Sequence, residues 1–192
     1  MKKCAIIIGA LFWLSSSSAQ SNSNSGIAFK KNEFRIDVLQ AIAYGKIGLS
    51  YERFFERNFS VGVNANFSNS HKIEADFNNG FRNNIPRYEF NPYLRYALSK
   101  SKSRFYFAEV FGSVNGGDFK EIVRESTNGV GYYTIKQTQY TDFAMGGSLG
   151  YKMYFKEAFA VEFLVGFGSN LTNKAKSPDV ISRVGFNFGY RF

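Results

Sequence analysis

The sequence predicts an all-β fold, an eight-stranded antiparallel transmembrane β-barrel whose interior is filled by polar side chains. Three observations carry that expectation. Segment after segment alternates an aromatic or aliphatic residue with a small or charged one, the period of a strand with one apolar and one polar face. The connections between segments alternate short and long, as they do in barrels that cross a membrane. The polar faces are dominated by Gly, Ser, Ala and Asn with occasional charges, whereas a soluble surface is rich in Lys and Glu. Composition agrees, with 22 Phe, 12 Tyr and 18 Gly against 3 Pro and 1 Trp in 192 residues. Aromatic and β-branched residues suit strands.

Residues 1–19 read as a secretory signal peptide. Lys2 and Lys3 precede an apolar run from Ala5 to Leu14, and small residues follow up to Ala19. A membrane helix needs about 20 apolar residues, and this run is about half of that, which fits a signal sequence cleaved before Gln20. The only cysteine, Cys4, precedes the apolar run, so it is not placed as a lipoprotein cysteine would be. Cleavage removes two lysines and lowers the formal net charge from +9 to +7. The remaining basic residues are dispersed and accompany no recognition motif, which excludes nucleic acid as a partner. Residues 20–32 form a polar tether, and residues 33–192 form the barrel.

The first strand is expected over 33–43, with Phe34, Ile36 and Val38 opposing Arg35 and Asp37. The second, 46–55, sets Ile47, Leu49 and Tyr51 against Gly48, Ser50 and Glu52. The third, 59–69, is the cleanest, with Phe59, Val61, Val63, Ala65 and Phe67 opposing Ser60, Gly62, Asn64, Asn66 and Ser68. In the fourth, 87–98, Tyr88, Phe90, Leu94 and Tyr96 oppose Glu89, Asn91, Tyr93 and Arg95, and Pro92, which cannot donate to a ladder, predicts a bulge. The fifth, 104–114, carries aromatics on both faces, and Glu109 marks its inner one. The sixth, 138–155, puts Phe143, Met145, Leu149, Tyr151 and Met153 outside and Asp142, Gly146, Ser148, Gly150 and Lys152 inside. The seventh, 159–168, sets Phe159, Val161, Phe163, Val165 and Phe167 against Ala160, Glu162 and Gly166. The eighth, 180–192, alternates Val184, Phe186, Phe188, Tyr190 and Phe192 with Arg183, Gly185, Asn187, Gly189 and Arg191.

Short connections at 56–58, 99–103 and 156–158 alternate with polar ones at about 70–86, 115–137 and 169–179. The first connection, Tyr44-Gly45, breaks the rhythm by being short on the outer rim. Inside 115–137, Asn128-Gly129 lies between two β-prone runs, a strong hairpin signal. The fifth and sixth strands are therefore expected to continue beyond the lipid as a raised hairpin over 117–137.

About eight strands leave an interior only wide enough for side chains. The inward charges are Arg35, Arg95, Lys152, Arg183 and Arg191 against Asp37, Glu52, Glu89, Glu109, Asp142 and Glu162. Both signs occur around the wall, which suits a network of ion pairs; the other reading is a narrow ion-conducting path.

The closing pattern at Phe186, Phe188, Tyr190 and Phe192 resembles the C-terminal signature of bacterial outer-membrane β-barrels. In size, strand rhythm, filled interior and raised hairpin the chain resembles the small barrels of the OmpA and OmpX type. The resemblance implies residence among outer-membrane lipids, and that those four aromatics are the signal read by the barrel assembly machinery. It implies a scaffold without a conducting pore, whose outer loops serve adhesion or partner binding, here with a surface ligand at 117–137. A few small outer-membrane barrels are instead enzymes acting on lipid A or peptides through a histidine. The sole histidine, His71, sits in a polar loop beside Ser70 and near Ser68. Adjacent residues of an extended segment point to opposite sides, so Ser70 and His71 make a poor nucleophile and base pair. The expectation is a non-enzyme. No clustered metal site or phosphate loop is present in the sequence, and no cofactor is expected.

Overall fold

The computed structural model describes residues 30–192 apart from 56, 57 and 100. The expected signal peptide and residues 20–29 of the tether lie outside the described residues. Eight strands follow one another around a closed barrel: β1 (Asn32–Asp37), β2 (Lys46–Phe54), β3 (Phe59–Ser68), β4 (Asn84–Ala97), β5 (Arg104–Thr127), β6 (Val130–Phe155), β7 (Phe159–Asn170) and β8 (Val180–Arg191). Each pairs antiparallel with the next, and β8 returns to β1 with Arg191 opposite Glu33 and Asn187 opposite Asp37. Closure leaves the barrel wall without an unpaired edge.

The alternation in the sequence becomes the two faces of the wall. Along β7, Ala160, Glu162 and Leu164 are buried inside while Phe159, Phe163, Val165 and Phe167 are about half exposed outside. The outer face carries a ring of aromatic contacts near the short turns. Phe34 meets Tyr51 (5.2 Å between centroids), Phe59 meets Tyr96 (4.9 Å), Tyr106 meets Tyr151 (4.8 Å) and Phe159 meets Tyr190 (5.4 Å). Phe192 bridges Tyr190 (6.4 Å) to Phe34 (5.9 Å) across the seam between β8 and β1. Such a girdle places amphipathic rings where lipid meets water.

Four details differ from the sequence reading. First, β1 stops at Asp37 instead of running to residue 43, because the Asp37 carboxylate accepts from the Gln40 N–H (3.0 Å) and caps helix α1 (Val38–Tyr44). Gly45, at φ 60°, ends α1 in the left-handed conformation and donates to the Gln40 carbonyl. The β1–β2 connection is therefore the helix, and Tyr44-Gly45 is no exception to the loop rhythm. Second, residues read as polar loop form helix α2 (His71–Asn78), capped by Ser70, whose Oγ accepts from Ile73 N–H (3.5 Å). Third, Pro92 makes no bulge: it lies in register opposite Val63, and Phe90–Val114 and Tyr93–Phe111 keep one offset. The register slips instead at Arg87, between Pro86 and Tyr88. Fourth, β4 begins at Asn84, earlier than expected.

The residues expected to leave the lipid as a hairpin do continue without interruption. β5 and β6 pair from Arg104–Met153 to Thr127–Val130, and Asn128 (φ 54°) and Gly129 (φ 82°) turn the chain with the two positive φ angles of a type I′ turn.

Candidate functional site

Period-two geometry sends one charged residue or more from most strands into the lumen. Glu33 and Arg35 come from β1, Glu52 from β2, Arg95 from β4, Glu109 from β5, Lys152 from β6, Glu162 from β7 and Arg183 from β8, all buried. Glu33 and Glu52 lie directly opposite in the ladder, an arrangement that destabilises two like charges. Lys152 resolves it from β6: its ammonium lies 2.8 Å from Glu33, 2.7 Å from Glu52 and 3.0 Å from Glu162. Those three carboxylates approach closely enough to hold a metal ion, but the Lys152 ammonium already stands among them.

The guanidinium groups complete the network. Arg35 donates to Glu33 (2.7 Å), to Glu52 and to the Tyr93 hydroxyl (2.6 Å). Arg95 donates to Glu109 (2.7 Å), Glu162 (2.7 Å) and Glu52 (3.0 Å). Arg183 donates to Glu109 (2.5 Å), and Ser60 and Asn187 donate to Glu52 (2.5 Å) and Glu162 (3.0 Å). Four carboxylates thus face four cations in one connected set, each paired and hydrogen-bonded as buried charge requires. Towards the long loops an amide layer follows, in which Asn66 and Asn91 both donate to Asn64 Oδ1 (2.9 and 3.1 Å). A cavity lined by Arg35, Arg95 and Arg183 in this core measures about 10 Å³, at most about one water.

Glycine and aromatic residues give the network its walls. Tyr93 pairs with Gly62, Phe107 with Gly150 and Phe111 with Gly146 on neighbouring strands, and each ring lies where a glycine Cβ would project. Ring covering glycine restores the packing the missing side chain gives up. Guanidinium groups then lie over the rings, Arg95 on Phe107 (3.8 Å) and Arg183 on Phe111 (4.5 Å), a favourable cation–π geometry.

Four residues assigned to the interior network take other roles. Asp37 caps α1, and among the described residues it has no ion pair. Asp142 faces the β7–β8 loop, accepting from Thr172 N–H (2.8 Å), Asn173 N–H (3.0 Å) and the Ser177 hydroxyl. It organises a loop and pairs with no cation among the described residues. Glu89 forms a separate, partly buried pair with Lys46 (3.1 Å) nearer the long loops. Arg191 donates to the Lys30 carbonyl (2.8 Å) and the Tyr154 hydroxyl (3.1 Å) and meets no carboxylate among the described residues. Glu33 and Tyr154 were missed as members, although Glu33 shares the parity of Arg35, and Tyr154 that of Lys152. Phe186, Phe188, Tyr190 and Phe192 all lie on the outer face, Phe188, Tyr190 and Phe192 exposed and Phe186 half-buried.

The raised hairpin is the second feature. Beyond Lys120, whose N–H still reaches the Asn83 carbonyl (2.8 Å), β5 has no partner but β6 among the described residues. Along β6, pairing with β7 begins only at Ala144. Ile122 lies directly opposite Ile135, and Ile122, Tyr133 and Ile135 are 75, 74 and 68% exposed. The hairpin base is tied down by Arg87, which bridges Asp118 (2.8 Å) and Glu74 (3.3 Å), and by Lys120, which donates to the Phe77 carbonyl (3.0 Å). His71 is exposed on α2, and the Ser70 hydroxyl is occupied in capping it.

A closed barrel of eight strands with a filled polar lumen, an apolar outer face and an aromatic girdle is a transmembrane β-barrel in architecture. No family model matches the sequence, and no curated protein matches it. Solved structures do share its fold. The N-terminal β-barrel domain of Pseudomonas aeruginosa OprF is similar with a TM-score of 0.55 and 10% identity, over 85% of this chain and 98% of that one. Neisserial surface protein A is similar with a TM-score of 0.52 and 7% identity, over 84% of this chain and 95% of that one. The chain therefore has the fold of small outer-membrane barrels.

Proposed function

We propose that the protein resides in the outer membrane as a closed scaffold without a conducting pore, and that it presents the 117–137 hairpin to a surface partner. The observation that carries the scaffold reading is the neutral, connected set of four carboxylates and four cations filling the lumen, beside which the cavity lined by Arg35, Arg95 and Arg183 measures only about 10 Å³. Membrane residence is supported by the aromatic girdle and by apolar residues such as Leu149 and Phe167, 64 and 61% exposed on the outer face. Phe186, Phe188 and Tyr190 on β8 and Phe192 just after it face outward, where assembly machinery that binds this strand would read them. For the partner, the hairpin offers open backbone edges beside exposed Ile122, Tyr133 and Ile135, a surface suited to recognition by strand addition. Neither His71 nor Ser70 is arranged for catalysis, and the reading is of a non-enzyme.

The test joins Lys120 directly to Gln137, a ladder pair, through an Asn-Gly turn. This variant is expected to fold and reach the membrane like the parent while losing any binding to cells or surface proteins. His71→Ala is expected to leave both binding and the lipid A profile unchanged. Binding that survives the hairpin replacement, or a lipid profile altered by His71→Ala, would refute this reading.

A further inference from the structure

On the long-loop side of Asp37 the wall changes its construction. The ladder between β8 and β1 ends at Asn187–Asp37, whereas β8 reaches on to Val180. Helix α1 takes the place of β1 there, lying against β8 and β2, the two strands that β1 separates lower down.

The ladder register fixes the depth at which this happens. From Ile36, one path of directly opposed residues runs through Leu49, Ala65 and Phe90 to Val114 on β5. The other path runs through Phe188, Val161 and Met153 to Arg104 on β5. The two arrivals lie ten residues apart on one strand, at 104 and 114, the stagger that a closed, tilted sheet requires. Ile36 therefore stands at the height of the residue midway between them, Glu109, in the central charge network. A strand crosses a membrane in about 9–11 residues, so Arg104 to Val114 spans it and Ile36 lies near its middle. β1 leaves the ladder only one residue further on, at Asp37. The seven residues of α1 then rise by about 10 Å, within the upper half of an apolar band about 25 Å tall.

A chain that leaves its ladder at that depth must satisfy its own backbone, and a helix does so in lipid. The side chains of α1 agree. Val38–Tyr44 holds no charged residue, while α2 on the same rim carries Lys72, Glu74 and Asp76. The one amide side chain of α1, Gln40, lines the core cavity beside Arg35 and Arg183. Ile42 lies two positions on, about 200° around the helix and so on the face opposite the lumen, and it is 82% exposed. Ile36 on β1 and Ile47 on β2, both exposed on the outer face, continue this surface into the apolar belt. Tyr44 closes the helix with a ring suited to the membrane–water boundary.

We propose that α1 is a membrane-embedded part of the wall, and that acyl chains of the outer leaflet pack against its Val38 and Ile42 face. Continuity with the belt identifies the occupant as lipid. The proposal rests on the membrane reading above and is independent of the hairpin.

Tryptophan fluorescence tests it. The only tryptophan of the chain, Trp13, is replaced by Phe, and single tryptophans are then introduced by Ile42→Trp, by Phe167→Trp in the apolar belt and by Lys72→Trp on α2. Each protein is folded into phosphatidylcholine vesicles whose acyl chains carry bromine. Ile42→Trp is expected to be quenched by the brominated chains as Phe167→Trp is, and to be shielded from aqueous iodide, which reaches Lys72→Trp. Val38→Trp, on the same face and deeper, provides a second reading, with strongest quenching by bromine near the chain ends. Iodide access at Ile42→Trp equal to that of Lys72→Trp would overturn the proposal. Shielding of Ile42→Trp from both quenchers would also overturn it, since protein, such as a second copy of this chain, would then cover α1. If Phe167→Trp escapes bromine as well, the membrane reading itself fails, whereas escape of the α1 tryptophans alone sinks only the embedded helix.

Discussion

Lys152→Met is the most searching perturbation of the lumen. The Lys152 ammonium is fully buried and lies within 3.0 Å of Glu33, Glu52 and Glu162. Its removal leaves four carboxylates facing three cations, with Glu33 and Glu52 opposed across the ladder and only Arg35 bridging them. Breaking a buried pair from one side costs about 3–5 kcal/mol. Three carboxylates share this cation, which puts the expected loss near the upper end, about 5 kcal/mol and more than about a thousandfold in the folding equilibrium. Replacing the charge together with one acid should behave differently. Glu33 is the acid to choose, because its cationic partners are Lys152 and Arg35 alone among the described residues. Lys152→Met with Glu33→Gln restores three of each sign and should lie within about 2 kcal/mol of the parent. Guanidinium titrations of protein folded into lipid vesicles, read by circular dichroism and by the mobility of unheated samples on gels, measure all three. A Lys152→Met variant as stable as the parent, or a double variant worse than the single one, would refute the charge accounting.

Other consequences are tested more simply. Leu149→Arg on the outer face should destabilise vesicle-folded protein by about 2–4 kcal/mol, and Tyr190→Arg in the girdle by about 1 kcal/mol or less; equal, negligible effects would contradict a lipid-facing belt. Planar bilayers containing the unmodified protein should show no steady single-channel current, and large stable currents would mean the lumen is open. Gly150→Ala should cost about 1–3 kcal/mol in the same titrations, because its new methyl meets the Phe107 ring. Glu157→Gly should do the opposite and stabilise by about 1 kcal/mol, since Lys156 and Glu157 hold φ of 47° and 56° in the β6–β7 turn.

Much of this architecture is legible from period two alone. Once Glu109 was assigned to the inner face, the parity of β5 placed Phe105, Phe107 and Phe111 inside with it, against the habit of sending aromatics to lipid. What parity does not give is the end of a strand. Phe34, Ile36 and Val38 alternate without a break, yet Asp37 turns the chain because its side chain is short enough to cap a helix of Leu, Gln and Ala residues. The same limit applies inside the lumen. Parity says that Asp37, Asp142 and Arg191 point inward, but not at what height, and height decides whether a charge meets the central network, a loop backbone or a mouth. Ser70 and His71 show a third limit: a capping serine before a short helix looks like polar loop when the helix contributes one buried residue, Phe77.

The seam between β1 and β8 also sets the order in which the wall can be completed. Glu33 meets its ladder neighbour Arg191 and its ion-pair partner, the distant Lys152, only when the chain between them is already arranged, so the ladder that closes the wall and an ion pair of the charge set both depend on strands far from β1 in the sequence. Each β-hairpin, by contrast, can form from neighbours as soon as both strands are present. Contacts of such long sequence separation are slow, because their loop-closure entropy is lost before they reward the chain. Before the seam joins, β1 presents an open edge and Glu33 lacks its partner on β6. The sheet is then an unsealed ribbon with an apolar face, and sealing it converts an aggregation-prone ribbon into a wall without ends.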